Sequence, residues 1–142
     1  VARKSWDEYF LDIAEQVAAR STCPRLHVGC VIVKDKHIVS TGYNGSIHGH
    51  DHCEDVGCLK DEHTGRCQRV VHAECNACLH AKRDDLHGAT AYVTHEPCEN
   101  CSKILAQVGI KRIVYREAYA NKWNTLFLKD IEVVHLPRAV NA

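Results

Sequence analysis

No excess of either charge marks this 142-residue chain: 18 Lys and Arg stand against 18 Asp and Glu, with 11 His counted neutral. A chain without surplus cations is poorly suited to sequence-independent binding of nucleic acid, which draws its affinity from neutralised phosphates. No apolar run approaches the roughly 20 residues that cross a bilayer. Neither nucleic acid nor a membrane is therefore an expected partner. The opening Val1-Ala2-Arg3-Lys4-Ser5 lacks the apolar stretch of a secretory signal. No repeat, low-complexity tract or linker divides the chain, and its length suits one domain over residues 1–142 with a core of its own. Cysteine is in surplus, at nine. Without a secretion signal these read as thiols and metal ligands and not as a disulfide framework, and the cytosol is the expected compartment.

Ser5-Trp6-Asp7-Glu8 opens a helix, with Ser5 as cap and Glu8 completing a capping box. Tyr9, Ile13, Val17 and Ala18 recur at helical spacing and are expected to face the core. Residues 28–33 and 37–41 are β-branched and apolar around Lys34-Asp35-Lys36, the pattern of a hairpin. Residues 42–69 are rich in His, Cys, Asp and Gly without clear period, and an irregular stretch of that length is usually functional or stapled by metal. From His72 the chain alternates: helix over 73–82, strand over 90–94, helix over 98–108, strand over 111–115, a short helix over 125–130 and a last strand over 131–136. Ile104, Leu105 and Val108 are the expected buried face of the second of these helices, and Gly109 its stop. Alternation after a hairpin predicts an α/β fold, a mixed sheet with helices on both faces.

Two segments carry the chemistry. His72-Ala73-Glu74 and Pro97-Cys98-Glu99-Asn100-Cys101 offer one imidazole and two thiolates, borderline-soft donors that suit tetrahedral Zn²⁺. Three protein ligands leave a fourth position open, the mark of a catalytic site. Both segments fall at helix starts, where unpaired N–H groups and the helix dipole stabilise thiolates. Glu74, two residues past the ligand His72, is placed to move protons without being a ligand. This His-x-Glu … Pro-Cys-x-x-Cys pattern is that of zinc deaminases acting on cytosine or adenine rings. The alternative is a structural zinc knuckle in which Glu74 is an ordinary helix carboxylate. Cys23, Cys53, Cys58 and Cys67 lie outside this motif, with His63 nearby. They suggest a second, closed structural zinc site in which Cys58 and His63 compete for one place. Cys30, Cys75 and Cys78 sit in apolar patterns and read as small core residues.

Nearly end to end, the chain resembles the cytidine-deaminase-like superfamily and, within it, the deoxycytidylate (dCMP) deaminases. The likeness runs through Ser21-Thr22-Cys23-Pro24-Arg25, Thr41-Gly42-Tyr43-Asn44-Gly45-Ser46, His72 to Ala77, Tyr92-Val93-Thr94, Pro97 to Cys101 and Gly109-Ile110-Lys111. It implies a three-layer α/β/α sandwich around a mixed sheet of about five strands. It also implies hydrolysis of dCMP to dUMP and ammonia, a precursor step for thymidylate, with catalytic zinc on His72, Cys98 and Cys101 and Glu74 as acid–base. For the second zinc, Cys23 and Cys53 match the family's positions best. The resemblance further implies substrate contacts from Asn44, Arg83 and Tyr119, activation by dCTP, inhibition by dTTP, and a homohexamer built from dimers. The effector would touch Gly42, Tyr43, Asn44 and Gly45, with Arg25, Lys34 and Lys36 as cations and Mg²⁺ as a companion of its triphosphate. Related deaminases of cytidine or adenosine, and a zinc-stapled nucleic-acid-binding or scaffold protein with a relic motif, are the competing readings.

Overall fold

The computed structural model describes residues 2–119 and 121–138. Helix α1 (Trp6–Ala18) starts as its sequence predicts, with the Ser5 side chain accepting the Glu8 backbone N–H. That satisfies one of the donors a helix start leaves open. Strands β1 (Gly29–Lys34) and β2 (His37–Tyr43) form the hairpin. Its turn holds Asp35 and Lys36 at φ 52° and 64°, the left-handed pair that matches the twist of a two-residue hairpin loop. The stretch without period contains β3 (Gly45–Ser46) and α2 (Cys53–Val56), and β4 (Val70–Val71), just after it, returns to pair with β3. There follow α3 (Ala73–His80), α4 (Arg83–Leu86), β5 (Thr90–His95), α5 (Glu99–Gln107), β6 (Arg112–Glu117), α6 (Asn124–Phe127) and β7 (Glu132–His135).

The five longer strands make one sheet in the order β2-β1-β5-β6-β7. β1 is antiparallel to both neighbours, whereas β5, β6 and β7 are parallel. Side chains alternate between the two faces, as the pleat requires. Val31 and Val33 of β1, Tyr92 of β5 and Val114 of β6 meet Phe10, Leu11 and Ala14 of α1 on one face. Cys30, Ile32, Ala91, Val93 and Ile113 meet α3, α4 and α5 on the other, through Ala73, Ala77, Leu86 and Leu105. The result is the three-layer α/β/α sandwich around a mixed five-stranded sheet.

Two expected helix faces are rotated. α1 buries Phe10, Leu11, Ala14 and Ala18, while Tyr9 is 46% exposed and Ile13 and Val17 pack only at the margin. The reason is Gly29: a Cβ there would stand 2.0 Å from the Ala14 carbonyl oxygen. The helix backbone lies directly on β1 and brings its small residues to the contact. Likewise α5 buries Cys101, Ser102 and Leu105 and leaves Ile104 39% exposed. Gly42 plays the part of Gly29 for α3, since a Cβ there would meet the Ala73 carbonyl oxygen and the Ala77 nitrogen, each at 2.4 Å.

Candidate metal centre and active-site cavity

The two metal segments meet beyond the C-terminal end of β5, where open α/β sheets commonly hold their ligands. His72 is the N-cap of α3 and Cys98 the N-cap of α5. Both have extended backbone, and neither side chain caps its helix, so each is free to point into the site. Cys101 lies in the first turn of α5. His72 Nδ1 stands 3.4 Å from Cys98 Sγ and 3.3 Å from Cys101 Sγ, and the three donor atoms all lie within 4.8 Å of one another. Tetrahedral zinc with Zn–S near 2.3 Å and Zn–N near 2.0–2.1 Å has sulfur–nitrogen edges of roughly 3.5 Å. Spacing and donor chemistry therefore both fit zinc.

The electrostatics agree. Hydrogen bonds from Cys101 and from His72 draw the Cys98 thiol down to about 4, against the cost of its burial. The bond to Cys98 raises His72 to about 9. The pairing favours charge on both partners, and a cation bound between them would displace the imidazole proton. Hydrogen bonds with Cys75 and Cys98, then burial, hold the Cys101 thiol well above its usual value. Cys75, expected in the core, is only half-buried, and its sulfur is 3.8 Å from that of Cys101.

Glu74 is buried, and burial pushes its carboxyl up to about 7, opposed by its own backbone N–H and by His72. It lines a cavity of about 530 Å³ together with His72 and Cys98. Arg25, Asn44 and Tyr119 share that cavity. Asn44 is buried, with both ends of its amide engaged: Oδ1 accepts the Val28 N–H at 2.9 Å and Nδ2 donates to the Leu26 carbonyl at 2.7 Å. It fixes the 26–28 wall. Arg25 donates to the Gly65 carbonyl at 3.2 Å and has no carboxylate partner among the described residues.

Three expectations are corrected. Arg83 is not in the cavity; it heads α4 and donates to the Gln107 carbonyl at 3.3 Å. The space left by the missing side chain of Gly42 is taken by the α3 backbone and not by a ligand. Lys34 and Lys36 flank the hairpin turn, separated from Gly42 and Gly45 by the length of β2, about 20 Å at 3.3 Å per residue. They cannot join one effector contact within the same chain. Tyr43 is partly exposed and its carbonyl accepts from Asn76. Gly45 adjoins the Thr22 hydroxyl.

A second thiol cluster borders the cavity, with Cys67 in its wall. Cys53, Cys58 and Cys67 bring their sulfurs within 4.8 Å of one another, with Cys53 and Cys67 3.6 Å apart. Of the two candidates for a shared place, Cys58 converges, whereas His63 is exposed and lies 3.6 Å from Glu62. Cys23 is buried at the cavity wall and is not in this group. Cys67 is drawn down to about 7: burial opposes ionisation, but hydrogen bonds with the Arg69, Leu59 and Val70 backbone and with Cys53 outweigh it. Burial and its neighbour Cys67 push Cys53 up to about 12. A thiolate beside thiols suits a soft cation.

Sequence reasoning passed over two further lining residues. His95 accepts, at Nδ1, a 2.8 Å hydrogen bond from the Thr94 hydroxyl, which itself accepts the Gly29 N–H at 3.1 Å. Thr94 is buried, and its hydroxyl can donate to a neutral His95 ring at Nδ1. Arg66 pairs with Glu99 at 2.7 Å. The only signal for either was adjacency to a metal-ligand segment, because aperiodic stretches give no face to read.

The zinc-binding region of cytidine and deoxycytidylate deaminases matches residues 4–117. ComE operon protein 2 of Bacillus subtilis (strain 168) is 49% identical over 120 residues, 82% of this chain and 62% of its own length. The deoxycytidylate deaminase of Mycobacterium phage D29 is 47% identical over 124 residues, 81% of this chain and 97% of its own. The chain thus spans about three-fifths of one relative and nearly all of the other. A crystal structure of dCMP deaminase from the cyanophage S-TIM5, in complex with dCMP and dUMP, superposes with a TM-score of 0.78 at 29% identity, covering 96% of this chain and 100% of that one.

Proposed function

The chain belongs to the family defined by the cytidine and deoxycytidylate deaminase zinc-binding region, and from that footing we propose that it hydrolyses dCMP to dUMP and ammonia. The observation that carries this reading is one cavity lined by His72 and Cys98 of a three-donor metal cluster, by a buried acid–base carboxyl and by a cation with no carboxylate partner among the described residues. The names of the phage relatives support dCMP as the substrate. His72, Cys98 and Cys101 would hold zinc, which when bound supplies the Lewis acidity that makes water a nucleophile near neutral pH.

The chain's own residues do the rest. Glu74 takes a proton from the attacking water and delivers it to the ring nitrogen; it then takes the second proton from the hydroxyl now on the ring carbon and passes it to the amino group, which leaves as ammonia as the carbonyl forms. Its burial suits the task, since a carboxyl raised toward neutrality can both accept and return a proton. Arg25 is the cation for the 5′-phosphate, because its guanidinium is not cancelled by an acid. Asn44 keeps the wall in place, and the Tyr119 ring closes the base side.

The second cluster, Cys53, Cys58 and Cys67, would hold a structural zinc that offsets the thin core beneath residues 47–69. Regulation by dCTP and dTTP, with Mg²⁺ on the triphosphate, belongs to the same proposal. Two buried hydroxyls beside Gly45, those of Thr22 and Ser46, lack hydrogen-bond partners among the described residues and would suit a ligand there. Exposed Ile47, Val56, Leu79 and Leu126 are apolar surface that subunits of a hexamer would cover. The cytosol, where free thiols persist, is the proposed compartment.

The test is the ultraviolet change on incubating zinc-loaded protein with dCMP, dCTP, deoxycytidine and CMP, then with dCMP plus dTTP–Mg²⁺ or dCTP–Mg²⁺. Turnover of dCMP above the other three is the expected result, and its absence with zinc bound refutes the assignment. If dTTP inhibits only by competing with dCMP and dCTP never relieves it, regulation fails while the deaminase survives.

A further inference from the structure

Two loops meet at the cavity wall, and one guanidinium joins them. Arg66 belongs to the segment between α2 and β4, Glu99 opens α5, and Tyr119 follows β6. Arg66 Nη1 lies 2.7 Å from Glu99 Oε1, and Nη2 donates to the Tyr119 hydroxyl at 3.1 Å. Both partners are held from behind. Asn121 donates to the other Glu99 oxygen at 3.1 Å, and Glu96 accepts the Tyr119 backbone N–H at 3.0 Å. The residue before Arg66 is Gly65, which turns with φ 71° and offers its carbonyl to Arg25. Arg25, Arg66 and Tyr119 all line the cavity that contains Glu74. Glu99 cancels the charge of Arg66 where it stands, whereas Arg25 stays available to an anion.

We propose that Arg66 is a positioning residue: its bridge to Glu99 and Tyr119 fixes the loop whose Gly65 carbonyl aims Arg25, and so sets the cavity's selectivity for a 5′-phosphorylated pyrimidine nucleotide over its nucleoside. This rests on the deaminase reading above. Arg66 acts through its neighbours and does not touch the substrate. The pair is partly exposed, 40% and 23% for the two side chains, and such pairs add little to global stability. Their loss is felt in loop placement, and a displacement near 1 Å at a positioning group can cost on the order of 10²-fold.

The test is steady-state kinetics of zinc-loaded Arg66→Gln on dCMP and on deoxycytidine. KM for dCMP should rise about tenfold with kcat within about threefold, the pattern of lost ground-state binding. The kcat/KM for deoxycytidine should fall no more than about threefold, through Tyr119 on the base side, since it has no phosphate for Arg25 to hold. Arg66→Lys keeps the pair with Glu99 and should recover part of the KM. Glu99→Gln breaks the bridge from the far side and should reproduce the KM effect. Hydrogen exchange across residues 57–69 should speed up in Arg66→Gln, a readout that needs no turnover. An unchanged KM for dCMP in both Arg66→Gln and Glu99→Gln, or equal losses on both substrates, overturns the proposal. A wild-type protein that turns over neither substrate sinks the deaminase reading instead. Calorimetric binding of dCMP then decides the bridge: tenfold weaker binding to Arg66→Gln supports it, and equal binding refutes it.

Discussion

His72 Nδ1 stands 3.4 Å from Cys98 Sγ across 26 residues of sequence, because each is the residue just before a helix and the two helices start at the same end of the sheet. Removing either donor leaves two, too few to hold a catalytic zinc. Cys98→Ser should lose one equivalent of zinc and the deaminase activity together. Metal analysis beside a dCMP assay checks this, and an active Cys98→Ser protein with full zinc would contradict it.

Glu74→Gln separates chemistry from metal binding. The amide keeps the shape of the carboxyl and leaves His72, Cys98 and Cys101 untouched. Zinc content should stay at the wild-type level while turnover falls on the order of 10³-fold, within the usual reach of general acid–base catalysis.

Arg25→Ala should raise KM for dCMP by on the order of 10–100-fold, the worth of a charge-assisted hydrogen bond to phosphate. Arg83→Ala should leave KM within about twofold, because Arg83 caps the end of α5 away from the cavity. A reversed order of the two effects would return the phosphate site to α4.

Asp7 ties α1 to the sheet. Both Arg112 Nη atoms donate to its carboxylate at 2.8 Å, and the Tyr92 hydroxyl donates to it at 2.7 Å. The Arg112 bonds, and then Tyr92, hold its pKa below the usual carboxylate value against burial. A depressed carboxylate stabilises the fold fully above the unfolded pKa near 3.9 and loses that contribution as pH falls through the lower folded value. Asp7→Asn should cost about 2 kcal/mol at pH 7 in urea unfolding. The gap from wild type should close as pH falls through the depressed folded value.

Cys53→Ser should remove one zinc and leave the catalytic zinc in place, lowering the melting temperature by roughly 5 °C. Zinc content of roughly one per chain in the wild type would remove the second site altogether.

Much of this was legible in sequence because the period of the apolar pattern survives wherever a face is buried. β1 and β5 are buried on both faces, so their short apolar runs mark them as inner strands, with Cys30, Ile32, Ala91 and Val93 together on one face. The metal donors were legible for another reason: His, Cys and Cys at fixed spacing narrow the chemistry before any fold is known. Helix rotation was not legible. Tyr9 and Ile104 looked like core and are not, because Gly29 and the inward Cys101 turn their helices. Neither cause is local to the helix pattern it changes. Arg66 was invisible, since its partners Glu99 and Tyr119 lie 33 and 53 residues away on other elements. The placement of Arg83 failed for the opposite reason, resemblance by position without regard to which way the helix end points.

The contact between Gly42 and α3 also has mechanical meaning. Ala73, whose carbonyl would be struck by a Cβ on Gly42, sits between His72 and Glu74. The bare strand is thus a seat whose depth sets how far the imidazole and the acid–base carboxyl stand from the two sulfurs carried by α5. One added methyl would act as a shim under α3, lifting both groups at once. The tolerance of the metal centre is therefore set on β2, in a residue that never meets the metal, the water or the base.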